Sequence, residues 1–427
     1  MPRRAAMTEL LSIIAAAREA PDRIAIATAS GAWTFAQCAE LIRLPARALI
    51  ARPAVETVLA IYAALEARRP LALLHHRLAA DELARQHRIA EGELPDDTAA
   101  VLFTSGSTGA SRGVALSRTA LEAAALASAA HLGWHDGDRW LLALSMAHAG
   151  GLSIVVRCLA GRRPIGLCDH DFDRDRTIDR LDRECTIASL VPTQLAALLD
   201  APTWRPWHKL RAILLGGAAA PPALLERAAA RGVPFLTTYG MTETLGQIAT
   251  AAPARAGDPR APLVLLPGVE VHAGTPDAPA PIELRGAMLA TRYLGGAAIA
   301  PAFTTADLGY LDARGALIIA GRRDDVIITG GENVHPSAIE AVLAATPGVR
   351  AACVFGVADE RWGQVVGAAL VVEPDFDLAA AATAWHAALP AHARPRQLAR
   401  CAALPQLPSG KVDRRAAAAL PRLPISY

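Results

Sequence analysis

The sequence predicts an α/β protein that has a large amino-terminal domain and a small α+β carboxyl-terminal domain. Short β-like runs alternate with alanine-rich helical stretches, as in LRAILLGGAAA, PPALLERAAARG and VPFLTTYG. Such alternation favours parallel strands covered by helices. Between 253 and 320, proline and glycine separate short strands, which predicts a mostly antiparallel, barrel-like subdomain. The alternation resumes after GRRDD, so we predict domains at 1–322 (β-rich over 253–320) and 323–427.

Composition excludes several classes of protein. The 427 residues carry a formal net charge of +2, too small to favour nucleic acid or an anionic membrane surface. Mean hydropathy is +0.26, but no apolar run approaches the roughly 20 residues that a membrane span needs. The start, MPRRAAMTELLSIIAAAREA, is typical of an amphipathic helix rather than a signal peptide. Six scattered cysteines without a C-x-x-C pair indicate neither zinc nor disulfides, and we predict a cytoplasmic protein.

The first motif is VLFTSGSTGASRGVALS, 101–117, in which a β-like run enters a segment with three glycines. Glycines let the backbone approach a phosphate, and the hydroxyl groups and Arg112 supply donors for its oxygens. The Walker A pattern is absent. A Ser/Thr/Gly-rich turn by itself is usually only a loop, so this motif alone leaves both interpretations open.

Three later segments carry further polar groups. TTYGMTETLG, 237–246, places Tyr239, Thr242 and Glu243 after a strand, where they can stack on a base, donate to phosphate and hold magnesium, respectively. FTTADLGYLD, 303–312, offers Asp307 to ribose hydroxyls, and the segment 321–340 adds Arg322 and a diglycine loop.

The chain has only two lysines, Lys209 and Lys411, and Lys411 follows a Pro-Ser-Gly turn in LPSGKVDRR, 407–415. An ammonium group is a compact charge on a flexible stem, whereas guanidinium is a planar fork. A lysine suits a site that must place one positive charge on a moving group. By itself, however, Lys411 is better explained as a solvated surface residue.

In order and spacing, these segments together resemble the adenylate-forming superfamily of acyl- and aryl-CoA ligases, luciferases and peptide-synthetase adenylation domains. TSGSTGASRG resembles its phosphate loop, YGMTE its adenine and magnesium segment, and TTADLG its ribose aspartate segment. GRRDDVIITGGENVHP resembles its hinge and PSGK its terminal lysine loop, while GGAAAP and ERWGQVV fall where similar segments occur. The resemblance covers almost all of the chain from about residue 100 onward.

The resemblance implies a role for each matching residue. Catalysis falls to Lys411, Thr242, Glu243 and His148, with Glu243 as the Mg²⁺ ligand. Asp324 is the hinge residue of a mobile carboxyl-terminal domain, and Gly330 and Gly331 line the CoA tunnel. The implied ATP-binding residues are Thr104, Ser105, Gly106, Ser107, Thr108, Gly109, Arg112, Gly216, Gly217, Tyr239, Gly240, Met241, Asp307 and Arg322.

The implied reaction has two steps. A carboxylate attacks the α-phosphorus of ATP to give an acyl-adenylate and pyrophosphate, and a thiol, CoA, then displaces AMP. Lys411 would stabilise the first step, where charge develops on phosphorus. The sequence departs from the family at Ser111 and Arg112, where proline and lysine are usual, and at Ala306, where glycine is usual.

The identity of the acid depends on the segment 143–164, which contains His148 and Arg157. Arg157 stands among apolar residues, and a half-buried arginine usually needs an anionic partner. The segment resembles the o-succinylbenzoate–CoA ligases of menaquinone biosynthesis, in which Arg157 would bind the second carboxylate of the substrate. The alternatives are a benzoate-, cinnamate- or fatty-acid-activating ligase with a CoA or carrier-protein acceptor, and a non-catalytic nucleotide-binding relative. A homodimer stays open.

Overall fold

The structure is a computed structural model that describes residues 9–104, 111–407 and 411–425. Twelve α-helices lie within these residues. In chain order they are α1 (Ile13–Glu19), α2 (Phe35–Leu41), α3 (Val55–Glu66), α4 (Ala80–Glu91), α5 (Arg118–Leu132), α6 (Ala149–Ala160), α7 (Arg174–Arg183), α8 (Pro192–Leu199), α9 (Pro222–Ala230), α10 (Pro336–Ala344), α11 (Leu378–Ala388) and α12 (Arg414–Ala418).

The described residues also form twenty-four strands. They are β1 (Ile24–Ala27), β2 (Ala32–Thr34), β3 (Ala48–Ala51), β4 (Leu71–His75), β5 (Thr98–Thr104), β6 (Arg112–Ser117), β7 (Trp140–Leu142), β8 (Ile165–Leu167), β9 (Ile187–Leu190), β10 (Ala212–Leu215), β11 (Phe235–Met241), β12 (Gly246–Ala251), β13 (Leu263–Leu265), β14 (Glu270–His272), β15 (Ala280–Arg285), β16 (Arg292–Tyr293), β17 (Ala302–Leu311), β18 (Leu317–Arg322), β19 (Ile327–Thr329), β20 (Glu332–Val334), β21 (Val349–Asp359), β22 (Gly363–Val372), β23 (Gln397–Arg400) and β24 (Leu423–Pro424).

The chain divides into two compact units. The first unit comprises Met1–Ala218, Ala228–Val271 and Leu284–Phe303, and the second comprises Ala219–Arg227, His272–Glu283 and Thr304–Tyr427. Strand β18 and most of β17 therefore belong to the second unit, whereas the sequence analysis assigns both strands to the first domain. The domain boundary at 322/323 stays a prediction.

The first unit contains a run of parallel strands in the order β11-β10-β9-β7-β8-β1. The short strands β7, β8, β9 and β10 are buried at every residue, as expected for a parallel sheet with both faces covered. Antiparallel strands flank the run, with β12 beside β11 and β2 beside β1. This arrangement gives the sheet one edge at which all the parallel strands end.

A second sheet of the same unit has the order β16-β6-β5-β4-β3. Strands β3, β4 and β5 are parallel, and β6 returns antiparallel to β5. The two-residue strand β16 then pairs with β6, with Tyr293 opposite Val114. This pairing brings a segment from near residue 293 beside one from near residue 114.

The second unit contains an antiparallel pair, β17 and β18, and the carboxyl-terminal sheet β20-β19-β22-β23-β24, with β21 paired to β22. Helices α10 and α11 contribute Leu343 and Trp385, both fully buried, to the same core as Val366. Asp377 caps α11 by accepting backbone hydrogen bonds from Ala379 and Ala380.

The predicted mixed α/β architecture, with a large amino-terminal domain and a smaller carboxyl-terminal α+β domain, is confirmed. Among the described helices, none is long and apolar enough to cross a membrane.

Candidate active site

The candidate site begins where β5 ends, at Thr104. Strands β4 and β5 are parallel, so His75 and Thr104, their last residues, lie at the same edge of the sheet. Thr104 pairs with Arg112 across the β5–β6 ladder, so the chain leaves and re-enters the sheet at adjacent positions. The Thr104 hydroxyl is buried and has no hydrogen-bond partner in the part of the chain that the structure describes. The predicted phosphate-binding residues Ser105, Gly106, Ser107, Thr108 and Gly109 lie outside the described residues.

Arg112, Tyr293 and Glu243 form a connected series. The Arg112 guanidinium carbon lies 4.3 Å from the centre of the Tyr293 ring, a cation–π distance. The Tyr293 hydroxyl donates a 2.6 Å hydrogen bond to Oε1 of Glu243, whose exposed fraction is 8%. Burial, and after it the charge of Glu243, raises the pKa of Tyr293, which therefore stays a donor at neutral pH. The carboxylate predicted to hold magnesium is thus buried and held in position by a phenol.

Tyr293 was missed by the sequence analysis. Its local sequence, ATRYLGG, has no pattern that separates it from an ordinary loop tyrosine. Only the pairing of β16 with β6 brings it to Arg112, and only the turn after β11 brings Glu243 to it.

Glycine shapes the segment that carries Tyr239, Met241 and Thr242. A Cβ on Gly240 would lie 1.8 Å from the carbonyl oxygen of Gly246, so no other residue fits where the β11–β12 register shifts. The 3₁₀ turn Thr242–Thr244 follows directly and buries Glu243, while Tyr239, Met241 and Thr242 stay half-buried. The strand end therefore presents the backbone and side chains predicted to bind the adenine and phosphates of ATP.

Gly216 and Gly217 follow β10, next to β11 in the parallel run. Leu215 is paired with Thr237, so the two glycines lie at the same edge as Tyr239. A Cβ on Gly216 would lie 2.7 Å from the Thr238 side chain, and Gly217 has a φ of 81°, which favours glycine. The structure thus brings together the two glycines and the tyrosine predicted to bind ATP.

His148 lies in a cluster of histidine rings. It precedes α6 as its N-cap residue, and its ring centre is 5.1 Å from that of His75, which stacks on His76 at 4.8 Å. The outer ring, His76, contacts Asp171 at 2.8 Å, and Arg77 pairs with the same carboxylate. Burial, together with the neighbouring charges of His76 and Arg77, lowers the pKa of His75 to about 4. At neutral pH, His75 is therefore uncharged and contributes no positive charge beside His148.

Arg157 is not brought together with these residues. It lies nine residues after His148 near the end of α6, roughly 13 Å along the helix at 1.5 Å per residue. Its guanidinium lies 5.4 Å from the ring of Trp140, the first residue of β7, whereas His148 follows the end of that strand. Ligands of such sheets bind at the carboxyl ends of the strands. This position argues against Arg157 as the substrate carboxylate ligand, and that role stays a prediction.

Arg157 is nevertheless deeply buried, with an exposed fraction of 4%. Its Nε has no hydrogen-bond partner among the described residues, and desolvation lowers its pKa to about 10. Its guanidinium lies over the ring of Trp140, which attracts the cation electrostatically. The Trp140 indole is held in turn by a hydrogen bond to Ser189.

In the second unit, the ribose candidate Asp307 and Arg322 face each other on paired strands. Arg322 donates a 3.1 Å hydrogen bond to Oδ1 of Asp307, which is 9% exposed. The backbone N–H of Asp307 also donates to the Thr305 hydroxyl. Asp324, the predicted hinge residue, follows in a short 3₁₀ turn with its carboxylate 3.9 Å from Arg322.

The predicted CoA-binding glycines form the two-residue loop between β19 and β20. Thr329 pairs with Glu332, and Gly330 and Gly331 have φ values of 60° and 89°, as a type I′ turn requires. The N–H of Gly330 donates to the carbonyl of Trp362, and a Cβ there would lie 2.7 Å from the Trp362 ring. The loop thus exposes backbone beside a half-exposed indole.

Lys411 is exposed on a segment whose two flanks are held together. The N–H of Leu407 donates to the carbonyl of Lys411, and the N–H of Asp413 to that of Pro405. Arg414, at the start of α12, contacts Asp325 at 3.4 Å and Glu340 at 2.5 Å. The contact between Arg414 and Asp325 connects the lysine segment to the turn that contains Asp324.

The comparisons with known proteins agree with this geometry. The family model described as AMP-binding enzyme matches residues 75–293, and the one described as AMP-binding enzyme C-terminal domain matches 338–411. The 2-succinylbenzoate–CoA ligase of Bacillus licheniformis is 37% identical over 296 residues, which span 66% of this chain and 62% of that protein.

Two solved structures of the o-succinylbenzoate coenzyme A synthetase of Bacillus subtilis are also similar, each at 27% identity. The complex with the acyl-adenylate intermediate has a TM-score of 0.84 and covers 97% of this chain and 99% of that one. The complex with ATP and magnesium has a TM-score of 0.81 and covers 95% and 98%. The predicted superfamily is confirmed, and the chain belongs to the AMP-binding enzyme family.

Proposed function

We propose that this protein is an ATP- and Mg²⁺-dependent acid–CoA ligase that works through an acyl-adenylate, and that its acid is o-succinylbenzoate. The observation that carries the proposal is the similarity, over 97% of the chain, to a synthetase in complex with that acyl-adenylate. The alignment with the Bacillus licheniformis ligase covers 62% of that protein.

The site residues fit a magnesium ion. Mg²⁺ prefers oxygen ligands and is usually held by one or two carboxylates together with substrate phosphates. Glu243 supplies a buried carboxylate of which Tyr293 engages Oε1. The described residues contain no group of three or more His, Cys, Asp and Glu side chains that could form an all-protein metal site. When bound, the ion would neutralise charge on the phosphates of ATP.

In the first half-reaction the acid carboxylate forms a bond to the α-phosphorus, the bond to the bridging oxygen breaks, and pyrophosphate leaves. Arg112 and Lys411 supply positive charge to the phosphates, and Tyr239 stacks on the adenine. Asp307 accepts from the ribose hydroxyls, and Arg322 holds its carboxylate in place through a 3.1 Å hydrogen bond.

In the second half-reaction the CoA sulfur attacks the acyl carbon, and AMP leaves with the bonding electron pair. The Gly330–Gly331 turn gives the pantetheine chain a backbone surface without side chains. We also propose that Asp324 is the hinge residue and that Lys411 acts in the adenylation step.

The position of Arg157 favours the alternative of a ligase whose acid has no second carboxylate. Because Arg157 lies beside the first residue of β7, it is a weaker candidate for binding a second carboxylate of the substrate. A benzoate-, cinnamate- or fatty-acid-activating ligase would need no such ligand. Similarity to the o-succinylbenzoate enzymes still favours the dicarboxylic acid.

The test is a panel of acids assayed for pyrophosphate release, with and without CoA. We expect o-succinylbenzoate to give the highest kcat/KM, with AMP and the CoA thioester formed in equal amounts. Preference for benzoate, cinnamate or a fatty acid would replace the substrate assignment. Pyrophosphate release without thioester formation in the presence of CoA would indicate a carrier-protein acceptor, and no release with any acid would refute the ligase.

A further inference from the structure

We propose that Ser111 is a positioning residue for Arg112, and that Glu82, Arg85 and Gln86 of α4 hold it in place. The inference rests on the proposed function, in which Arg112 faces the phosphates of ATP.

Helix α4 binds Ser111 through both its carbonyl and its hydroxyl group. Arg85 Nη2 donates to the Ser111 carbonyl at 2.7 Å and lies 2.5 Å from its hydroxyl oxygen. Gln86 Nε2 donates to the same hydroxyl oxygen at 2.8 Å, and the hydroxyl itself donates to Glu82. The residue is therefore held through backbone and side chain together, which restricts the direction in which the chain continues to Arg112.

The three α4 side chains are themselves organised for this contact. Arg85 forms two 2.7 Å hydrogen bonds to the two oxygens of Glu82, a bidentate pair. Gln86 is only 4% exposed and donates a second hydrogen bond to Glu82 at 2.8 Å. The hydrogen bond from Arg85, followed by those from Ser111 and Gln86, lowers the pKa of Glu82 to about 2. Glu82 is therefore an ionised acceptor at every physiological pH.

The hydrogen-bonded cluster of Glu82, Arg85, Gln86 and Ser111 positions the next residue in the chain, Arg112. Arg112 is exposed and lies over Tyr293, which donates to the buried Glu243. A proline at 111 would restrict the backbone through its ring. Here hydrogen bonds from a neighbouring helix restrict it instead. The cluster thus sets the position of Arg112. Arg112 in turn packs against Tyr293, which donates to the carboxylate of Glu243.

The test compares Ser111→Ala and Ser111→Thr with Ser128→Ala. Ser128 is a suitable control because it is buried and its hydroxyl also bonds a glutamine, Gln247, at 3.1 Å outside the cluster. The measurements are the Kd for ATP by calorimetry, KM for ATP and for the acid, and the rate of trypsin cleavage after Arg112.

Loss of a hydrogen bond to a charged group corresponds to about a tenfold or greater effect. We expect Ser111→Ala to raise the Kd and KM for ATP about tenfold, to leave KM for the acid unchanged, and to speed cleavage after Arg112. Ser111→Thr, which keeps the hydroxyl, should restore the Kd for ATP, the KM for ATP and the rate of cleavage after Arg112. Unchanged ATP affinity in Ser111→Ala, or an equal loss in Ser128→Ala, would overturn the inference. Calorimetry and proteolysis need no turnover, so an enzyme that binds ATP but activates no acid would refute the proposed function alone.

Discussion

The hydrogen bond between Tyr293 and Glu243 should orient the candidate magnesium ligand, and Tyr293→Phe tests this directly. Tyr293→Phe removes one oxygen and deletes the 2.6 Å contact to a carboxylate that is 8% exposed. The ring remains, so the contact with Arg112 at 4.3 Å is kept. The substitution therefore isolates the effect of the hydroxyl on the candidate magnesium ligand.

The magnitude depends on the chemistry of this bond. A hydrogen bond to a charged group contributes roughly 1.5–3 kcal/mol. If the bond orients Glu243 during adenylation, its loss lowers the rate of pyrophosphate formation by about 10- to 150-fold at roughly 1.4 kcal/mol per tenfold. Since the buried Oε1 then lacks its partner, the free energy of unfolding should also fall by about 1–3 kcal/mol.

The assay is a magnesium titration of pyrophosphate formation, combined with denaturant unfolding. We expect Tyr293→Phe to need more Mg²⁺ for half-maximal rate and to lower the maximal rate. Glu243→Gln keeps the shape, removes the charge and should show the same change. The double variant should be no worse than Glu243→Gln alone, because both act on one ligand. Additive losses, or a wild-type magnesium titration for Tyr293→Phe, would refute the reasoning.

Three further predictions concern residues outside this pair. Lys411→Ala should lower pyrophosphate formation by roughly 100-fold or more while thioester formation from supplied acyl-adenylate survives; equal loss of both half-reactions would contradict an adenylation-only role. Arg157→Met, which replaces a buried charge by an apolar chain on Trp140, should raise the free energy of unfolding by about 1–3 kcal/mol and leave kcat/KM nearly unchanged. A ten- to hundredfold loss confined to dicarboxylic acids would instead restore its predicted role as carboxylate ligand. The folded pKa of His75, about 4, lies below its usual value of 6.5, so the free energy of unfolding should fall by up to about 3 kcal/mol as pH drops from 6.5 to 4. His75→Asn should flatten this pH dependence of the free energy of unfolding. An unchanged slope would argue against a buried neutral imidazole.

Predictions from local pattern agree well with the structure. The diglycine loop predicted within 321–340 is the turn between β19 and β20. Asp307 and Arg322 were predicted separately, and they meet because β17 and β18 are consecutive strands. These features depend on interactions over a few residues, which a sequence displays directly.

What the sequence leaves open about Arg157 depends on distant pairing. Arg157 is set in an apolar segment, and this pattern correctly predicts burial. It does not reveal which end of the parallel strands the buried side chain faces. The direction of β7 relative to α6 decides this, and it places Arg157 beside Trp140, away from His148.

The fold class, the family and the order of the nucleotide-binding segments could be predicted from the sequence, because they depend on hydrophobic period, glycine position and short motifs. The side chains that support these segments could not, because they come together only through tertiary contacts. Glu82 and Ser111 are separated by 29 residues and Glu243 and Tyr293 by 50, and each pair meets only after helix or strand packing is complete. No local propensity encodes such contacts, since their energy appears only once the chain between them has folded.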